Sequence, residues 1–189
     1  MKHKLFITLL LITVFSCTDP KINCEIKTSE GSIFVELYPE KAPNTVSNFT
    51  QYILKDAYKN SSFFRVCTLE NEATRDIKIE VIQGGDIPDE LLFPPIDIET
   101  TAQTKINHKH GTISMARDTP NTAQSSFFIC INDQPELDYK GKRHPDGQGF
   151  AAFGNVTKGM DVVLKIQSFK NKNQQLTAPV VIKSIKILE

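Results

Sequence analysis

Arg65 is the residue whose type and surroundings most clearly suggest chemistry. It follows Phe63 and Phe64 within a short apolar stretch of strand-like composition. A guanidinium stays charged at physiological pH and carries five N–H donors in a planar fork, so burying it without partners costs free energy. Arg65 therefore either forms a structural ion pair or faces a cleft where it can bind a ligand. The residues alone slightly favour the ion pair.

A second candidate site lies at residues 83–86, which read Gln-Gly-Gly-Asp and follow the apolar residues Val81 and Ile82. The plainer interpretation is a strand that ends in a tight turn, where glycine supplies the positive φ that such turns require. Alternatively, the two glycines allow the backbone of a ligand to approach closely. The segment lacks the lysine and the spacing of a phosphate-binding loop, so it does not predict nucleotide binding.

The histidines do not predict a metal site. His108 and His110 flank Lys109 in a loop-like stretch, with no acidic or cysteine ligand beside them, and His144 lies in the polar sequence Arg-His-Pro-Asp-Gly. Imidazoles in such settings are more often solvated than metal-bound. We therefore expect all three to be solvated loop residues.

The cysteines predict neither a redox motif nor a nucleophile. There is no Cys-x-x-Cys sequence, and no base is placed beside Cys67 by the sequence. Cys24 precedes a strand-like stretch and Cys130 lies in an apolar run. We expect Cys24, Cys67 and Cys130 to be buried free thiols, although the cell envelope, to which the N-terminal sequence described below points, permits disulfides.

The N-terminus has the pattern of an export signal. Basic residues at 2–4 precede an apolar run at 5–15, which is too short to span a bilayer but fits a signal peptide. The run ends at Ser16 and Cys17, which resembles a bacterial lipoprotein cleavage site. We expect a signal peptide at 1–16, lipidation of Cys17, a short tether at 17–23 and a folded domain at 24–189. A plain cleaved signal and an uncleaved anchor are the alternatives, since Phe15 stands where a small residue is commoner.

This arrangement predicts a protein anchored by lipid to a bacterial membrane, in the cell envelope, facing the periplasm or the exterior. The composition predicts one ordinary globular domain: 189 residues, 40% hydrophobic, with 22 basic and 22 acidic residues. Zero net charge argues against nucleic acid as a partner. No heptad pattern or apolar stripe is visible, so a monomer is the default expectation.

Hydrophobic periodicity predicts a mainly β domain with two helices. Residues 33–38 alternate with the period of a strand, whereas residues 42–53 and 159–168 carry apolar residues at helical spacing. Further strand-like runs occur at 63–67, 77–82, 111–115, 126–131, 150–156 and 180–188. Many strands with one helix near each end favour a barrel or sandwich whose open ends are covered by helices.

Four segments, in the same order along the chain, resemble the motifs of the cyclophilins. They are Phe-Arg-Val at 64–66, Gln-Gly-Gly-Asp at 83–86, Gly-Thr-Ile-Ser-Met-Ala-Arg at 111–117 and Ser-Ser-Phe-Phe-Ile at 125–129. Shorter matches at 43–49, 137–138, 153–156 and 159–163 extend the resemblance over nearly all of the chain from about residue 26. It implies a closed eight-stranded antiparallel β-barrel capped by two α-helices, and peptidyl-prolyl cis/trans isomerase activity.

The resemblance also implies roles for individual residues. Arg65 corresponds to the catalytic arginine of the family, and no general acid or base, metal, nucleotide or other cofactor is expected. Proline-containing polypeptides are the expected substrates. The implied substrate-binding residues are Phe64, Gln83, Met115, Ala116, Arg117, Ser126, Phe128, Leu137 and Phe150.

Several positions depart from the family pattern. Phe64 replaces a histidine, and Glu80 stands where a phenylalanine is usual, leaving Ile79 or Val81 to fill the gap. Ser126 replaces a glutamine, Glu136 replaces a tryptophan or other aromatic residue, and the segment 67–78 is longer and more charged than usual. We therefore expect weak cyclosporin binding and reduced turnover in an isomerase that assists the folding of exported proteins. The alternative is a proline-peptide-binding module with little catalysis.

Overall fold

The computed structural model of the protein describes residues 20–189, and these form a closed antiparallel β-barrel. The strands pair in the order β1-β2-β7-β5-β6-β4-β3-β9, and pairing of β1 with β9 closes the ring. β8 lies outside the ring as a hairpin partner of β9, so the barrel has eight strands, as predicted. The strands are β1 (Ile22–Thr28), β2 (Ser32–Leu37), β3 (Ser61–Cys67), β4 (Val81–Gly84), β5 (Thr112–Met115), β6 (Phe127–Cys130), β7 (Ala151–Lys158), β8 (Asn171–Lys172) and β9 (Gln175–Ile187).

Two helices cover the barrel where the periodicity predicted them. They are α1 (Pro43–Leu54) and α3 (Met160–Gln167), and a single helical turn, α2 (Thr101–Thr104), was not predicted. α1 begins with a proline, whose fixed φ suits the first helical position. No side chain caps it from its own N-cap residue. Instead, the carboxylate of Glu99 accepts hydrogen bonds from the backbone N–H groups of Asn44 and Thr45 at 3.0 and 2.8 Å.

The barrel interior is filled by side chains. Phe49 of α1 closes one end, and its ring lies 5.4 Å from that of Phe127 and 5.2 Å from that of Phe153. Because side chains alternate between the two faces of a strand, the residue after Phe127 points to the outside of the barrel. A second, smaller cluster of apolar residues lies there. It consists of Cys67, Ile79, Val81, Phe128, Cys130 and Leu137.

Two boundaries differ from the sequence-based expectation. The strand expected at 77–82 begins only at Val81, because residues 68–80 form a long connection of turns. β1 begins at Ile22, so Ile22 and Asn23 belong to the barrel and not to the expected tether. The expected signal peptide at 1–16 and Cys17 lie outside the described residues.

Cys24, Cys67 and Cys130 are buried and free, as predicted. Burial raises the pKa of Cys24 to about 12 and that of Cys67 to about 11, which keeps both thiols protonated and unreactive near neutral pH. Within residues 20–189, no helix has both the length and the apolar character needed to cross a membrane.

Replacing Glu99 with alanine should destabilise the fold by about 1–2 kcal/mol, because it leaves the first N–H groups of α1 without their acceptor. The midpoint of urea unfolding, followed by circular dichroism, measures this change. Glu40→Ala removes an exposed carboxylate from the preceding loop and serves as the control. Equal midpoints for the two variants would contradict the capping role of Glu99.

Candidate active site

A β-bulge in β3 turns Arg65 toward the outer face of the barrel. Phe63 pairs with Gly84 and Arg65 pairs with Gln83, so two steps along β3 oppose one step along β4. Phe63 remains in the barrel core, and Val66 re-enters it. Phe64 and Arg65 are therefore both displaced from the interior, a distortion typical of strands beside active sites.

The guanidinium of Arg65 is held by two glutamine side chains. Its Nη1 donates to Oε1 of Gln83 at 2.7 Å, and its Nε and Nη2 both donate to Oε1 of Gln174 at 2.9 and 2.6 Å. Both partners are neutral amides, so within residues 20–189 Arg65 does not form the structural ion pair considered for it. The guanidinium keeps its full positive charge at a half-buried position.

A cavity of about 300 Å³ lies on the outer face of the barrel, and Gln83, which accepts from Arg65, is part of its lining. Seven of the predicted binding residues line it, together with Ile79 and Val81 of the outer apolar cluster. The seven are Gln83, Ala116, Arg117, Ser126, Phe128, Leu137 and Phe150. The Phe128 and Phe150 rings meet edge to face at 5.5 Å, forming an apolar corner of the kind that suits a proline ring.

Arg65, Met115 and Phe64 are not among the lining residues, and Arg65 is connected to the cavity through its hydrogen bond to Gln83. Met115 is fully buried in the barrel core, because the alternation along β5 directs it inward and leaves Ala116 facing the pocket. The prediction that its side chain lines the pocket is therefore wrong, and Val81 lies there instead. Phe64 is half-buried beside the bulge, outside the lining of the cavity.

The departures at Glu80 and Glu136 do not bring charge into the cavity. The carboxylate of Glu80 accepts a hydrogen bond from Asn132 at 2.8 Å, while Ile79 and Val81 on either side line the cavity. The carboxylate of Glu136 accepts the backbone N–H of Lys142 at 2.8 Å. The cavity wall that Glu80 was expected to interrupt is therefore apolar.

Arg117 is a structural support of the cavity wall. Its guanidinium forms a two-point ion pair with Asp146 at 2.8 and 2.9 Å, donates to the carbonyl of Gly149, and lies 5.1 Å from the centre of the Phe150 ring. The hydrogen bonds from Arg117 lower the pKa of Asp146 to about 2, so the pair stays ionised above that pH. Arg117 thereby fixes the loop that carries Phe150.

His108 is buried beneath the cavity floor, which corrects the expectation of a solvated loop residue. Its ring lies parallel to that of Phe128 at 5.9 Å. Nδ1 lies 2.7 Å from a carboxylate oxygen of Asp138, which can only accept, so Nδ1 carries the proton and Ser114 Oγ donates to Nε2 at 2.9 Å. Ser114 is fully buried behind Phe128 and out of a substrate's reach, so this trio supports the floor and does not form a nucleophile.

The other two histidines stay in loops. His110 is exposed, with a ring nitrogen bonded to the carbonyl of Ile131. His144 is partly exposed at the rim, where its ring meets the edge of Phe150 at 6.3 Å and Nε2 lies 2.6 Å from the carbonyl of Asp118. Among residues 20–189, no group of three or more potential ligands is arranged to hold a metal ion.

Comparison with known proteins decides the family. A family model described as cyclophilin type peptidyl-prolyl cis-trans isomerase/CLD matches residues 23–187. The chain belongs to this family. It is an isomerase with a cyclophilin fold, and the cavity lined by Gln83, Phe128 and Phe150 lies on the outside of the cyclophilin barrel.

Similar cyclophilins occur in bacteria and eukaryotes. The chain is 36% identical to the peptidyl-prolyl cis-trans isomerase cyp18 of Streptomyces antibioticus, over 87% of this chain and 97% of that one. It is 34% identical to peptidyl-prolyl cis-trans isomerase A of Dickeya dadantii, over 97% and 95% of the two chains. A crystal structure of a Cryptosporidium parvum cyclophilin-type isomerase superposes with a TM-score of 0.70 at 23% identity, covering 90% of this chain and 99% of that one. A second structure of that protein was obtained in the presence of the dipeptide Ala-Pro.

Burial of His108 predicts a specific pH dependence of stability. Desolvation lowers the pKa of its imidazole despite the nearby Asp138, so the unfolded chain takes up a proton at a pH where the native state does not. The free energy of unfolding should therefore fall as the pH drops below about 6.5.

Urea unfolding at pH 7 and pH 5 tests this contribution. The fall in unfolding free energy between the two pH values should be smaller in His108→Gln than in the wild type, by up to about 2 kcal/mol. His110→Gln, which removes an exposed imidazole, should keep the wild-type fall. If the unfolding free energy of His108→Gln falls between pH 7 and pH 5 by as much as that of the wild type, the buried imidazole does not contribute to the pH dependence of stability.

Proposed function

We propose that this isomerase uses Arg65 as its catalytic residue and acts on X-Pro bonds of exported polypeptides. The observation that carries the proposal is a charged guanidinium held by two neutral amides, one of which, Gln83, lines a cavity with an apolar corner at Phe128 and Phe150. The reaction breaks no covalent bond. It must lower the barrier of about 18–20 kcal/mol that arises because the prolyl nitrogen lone pair is delocalised into the carbonyl group.

The hydrogen bonding of Arg65 leaves donors for the substrate. Three of its five N–H groups are used by Gln83 and Gln174, so one on Nη1 and one on Nη2 stay available. A donor aimed at the prolyl nitrogen localises the lone pair as the bond twists. This interaction stabilises the twisted state more than either planar state, which is the requirement for catalysis.

The cavity supplies the ground-state contacts. The proline ring packs into the apolar corner formed by Phe128 and Phe150, with Val81 and Leu137 completing the wall. Because Oε1 of Gln83 accepts from Arg65, its amide NH₂ group is left to donate to a substrate carbonyl.

The N-terminal sequence supports a role in the cell envelope. An export signal followed by a lipidated Cys17 would hold the isomerase close to a bacterial membrane, where newly exported chains fold. Uncatalysed X-Pro isomerisation takes tens to hundreds of seconds and limits such folding. Weak cyclosporin binding belongs to the same proposal, since Glu136 stands where an aromatic residue usually precedes Leu137.

Replacing Arg65 with alanine should lower kcat/KM by about 10²–10³-fold, because it removes the two free N–H groups proposed to act on the prolyl nitrogen. Proline cis/trans exchange in a short Ala-Pro peptide, followed by NMR with the domain from residue 20, measures this loss. Lys59→Ala removes an exposed cation and should leave the exchange rate unchanged. Wild-type rates in a folded Arg65→Ala variant would refute the catalytic role, and peptide binding without exchange in the wild type would favour a binding module.

Replacing Cys17 with serine should abolish lipid attachment. In a bacterial host that processes lipoproteins, the full-length wild type should incorporate labelled palmitate and sediment with membranes, whereas Cys17→Ser should do neither. Cys24→Ala retains Cys17 and should be labelled like the wild type. Absence of label from the wild type would contradict the lipid anchor.

A further inference from the structure

We propose that Gln174 is a positioning residue for the catalytic guanidinium, and that a buried ion pair between Glu72 and Arg143 holds Gln174 in place. The inference rests on the proposed catalytic role of Arg65. It assigns a function to two connections of the chain, residues 68–80 and 138–150, that otherwise look like peripheral insertions.

Gln174 contacts Arg65 more extensively than Gln83 does. Its Oε1 receives two of the three hydrogen bonds that the guanidinium makes, from Nε and Nη2, and the Cys67 thiol lies 3.6 Å from the same oxygen. Its backbone carbonyl also accepts the N–H of Val66 at 2.8 Å. Gln174 therefore ties both the side chain of Arg65 and the strand just after it.

Glu72 fixes the orientation of the Gln174 amide. Nε2 of Gln174 donates to Oε1 of Glu72 at 3.0 Å, while Oε1 of Gln174 faces Arg65. A carboxylate only accepts hydrogen bonds and a guanidinium only donates them, so the amide between them has a single satisfactory orientation. A glutamine with no partner on its far side could turn over and present its NH₂ group to the guanidinium.

Glu72 is itself fully buried, which requires compensation of its charge. Arg143 donates to both carboxylate oxygens at 2.7 and 2.6 Å, and the backbone N–H of Ile79 donates at 2.9 Å. Arg143 also donates to the carbonyl of Ile77 at 2.7 Å. The two long connections are thus joined to each other directly behind Gln174.

The backbone conformation at Gln174 would suit glycine better than glutamine, which indicates that the site requires the glutamine side chain. Asn173 and Gln174 form the two-residue turn between β8 and β9, both with positive φ, at 51° and 72°. Such turns favour asparagine followed by glycine, and a side chain at the second position costs free energy. Glycine would satisfy the turn better but would leave Arg65 without its main acceptor.

The arrangement also explains why the side chain of Gln174 separates the Glu72 carboxylate from the Arg65 guanidinium. A carboxylate in direct contact with Arg65 would neutralise the charge that the twisted X-Pro bond needs. The neutral amide of Gln174 fixes the orientation of the guanidinium, which forms no ion pair with a carboxylate of residues 20–189.

The decisive variant is Gln174→Gly, because it relieves the turn while removing the acceptor. We expect the urea midpoint to stay near or above that of the wild type, kcat to fall roughly tenfold and KM to change much less. Gln175→Ala, an exposed glutamine in the next position, is the matched control and should behave like the wild type. A wild-type kcat in Gln174→Gly would overturn the inference.

An NMR signal reports the position of Arg65 independently of turnover. Its Nε–H proton should exchange slowly with solvent in the wild type and in Gln175→Ala, and rapidly in Gln174→Gly. Slow exchange in Gln174→Gly would overturn the positioning role. If Arg65→Ala abolishes catalysis of cis/trans isomerisation of the Ala-Pro peptide while Gln174→Gly keeps the wild-type catalytic rate, only this inference fails. If Arg65→Ala still catalyses isomerisation of the peptide at the wild-type rate, the proposed function fails as well.

The contribution of Glu72 is tested in two backgrounds. Glu72→Gln should lower kcat in the wild type and cause no further loss in Gln174→Gly, because its effect passes through Gln174. An equal loss in both backgrounds would show that Glu72 acts by another route. If Glu72→Gln does not fold, Arg143→Lys, which keeps the charge but loses the two-point contact, is compared in the same two backgrounds.

Discussion

A guanidinium that is held in place without being neutralised is the constraint on which the rest of the site depends. Arg65 must be oriented by hydrogen bonds, since fixing a freely rotating side chain would cost conformational free energy in every catalytic event. It must also keep its charge, which excludes a carboxylate as the direct partner. Two glutamine side chains meet both conditions.

The barrel provides the rigid frame for this arrangement. Its interior is filled by aromatic and aliphatic side chains, so a binding site can form only on the outside. The outer face of β4 and β6 carries Val81, Gln83 and Phe128 at alternate positions, and the bulge in β3 brings Arg65 to the same face. His108 and Arg117 then support the cavity from below and from the side.

Much of the fold and part of the site follow from the sequence. Period-two and helical patterns predicted most of the strands and both main helices, because amphipathic elements must bury one face. The family-like motifs identified seven residues that line the cavity. Met115 was misassigned because adjacent residues of a strand face opposite sides, and a motif does not reveal which side faces the ligand.

The other features depend on contacts between distant segments. Gln174 lies 109 residues from Arg65, and Glu72 lies 71 residues from Arg143, so no local pattern connects them. The burial of His108 likewise depends on Asp138, 30 residues further on, whose carboxylate makes a buried imidazole tolerable. Glu80 seemed to put a charge in the cavity wall, but the late start of β4 turns its side chain toward Asn132.

The most direct test of the account is a crystal structure of the domain with a bound Ala-Pro peptide. The account predicts the proline ring against Phe128 and Phe150, a free N–H of Arg65 within hydrogen-bonding distance of the prolyl amide, and both glutamine contacts to the guanidinium retained. A peptide bound with its proline outside this cavity, or with Arg65 turned away from the prolyl amide, would contradict it.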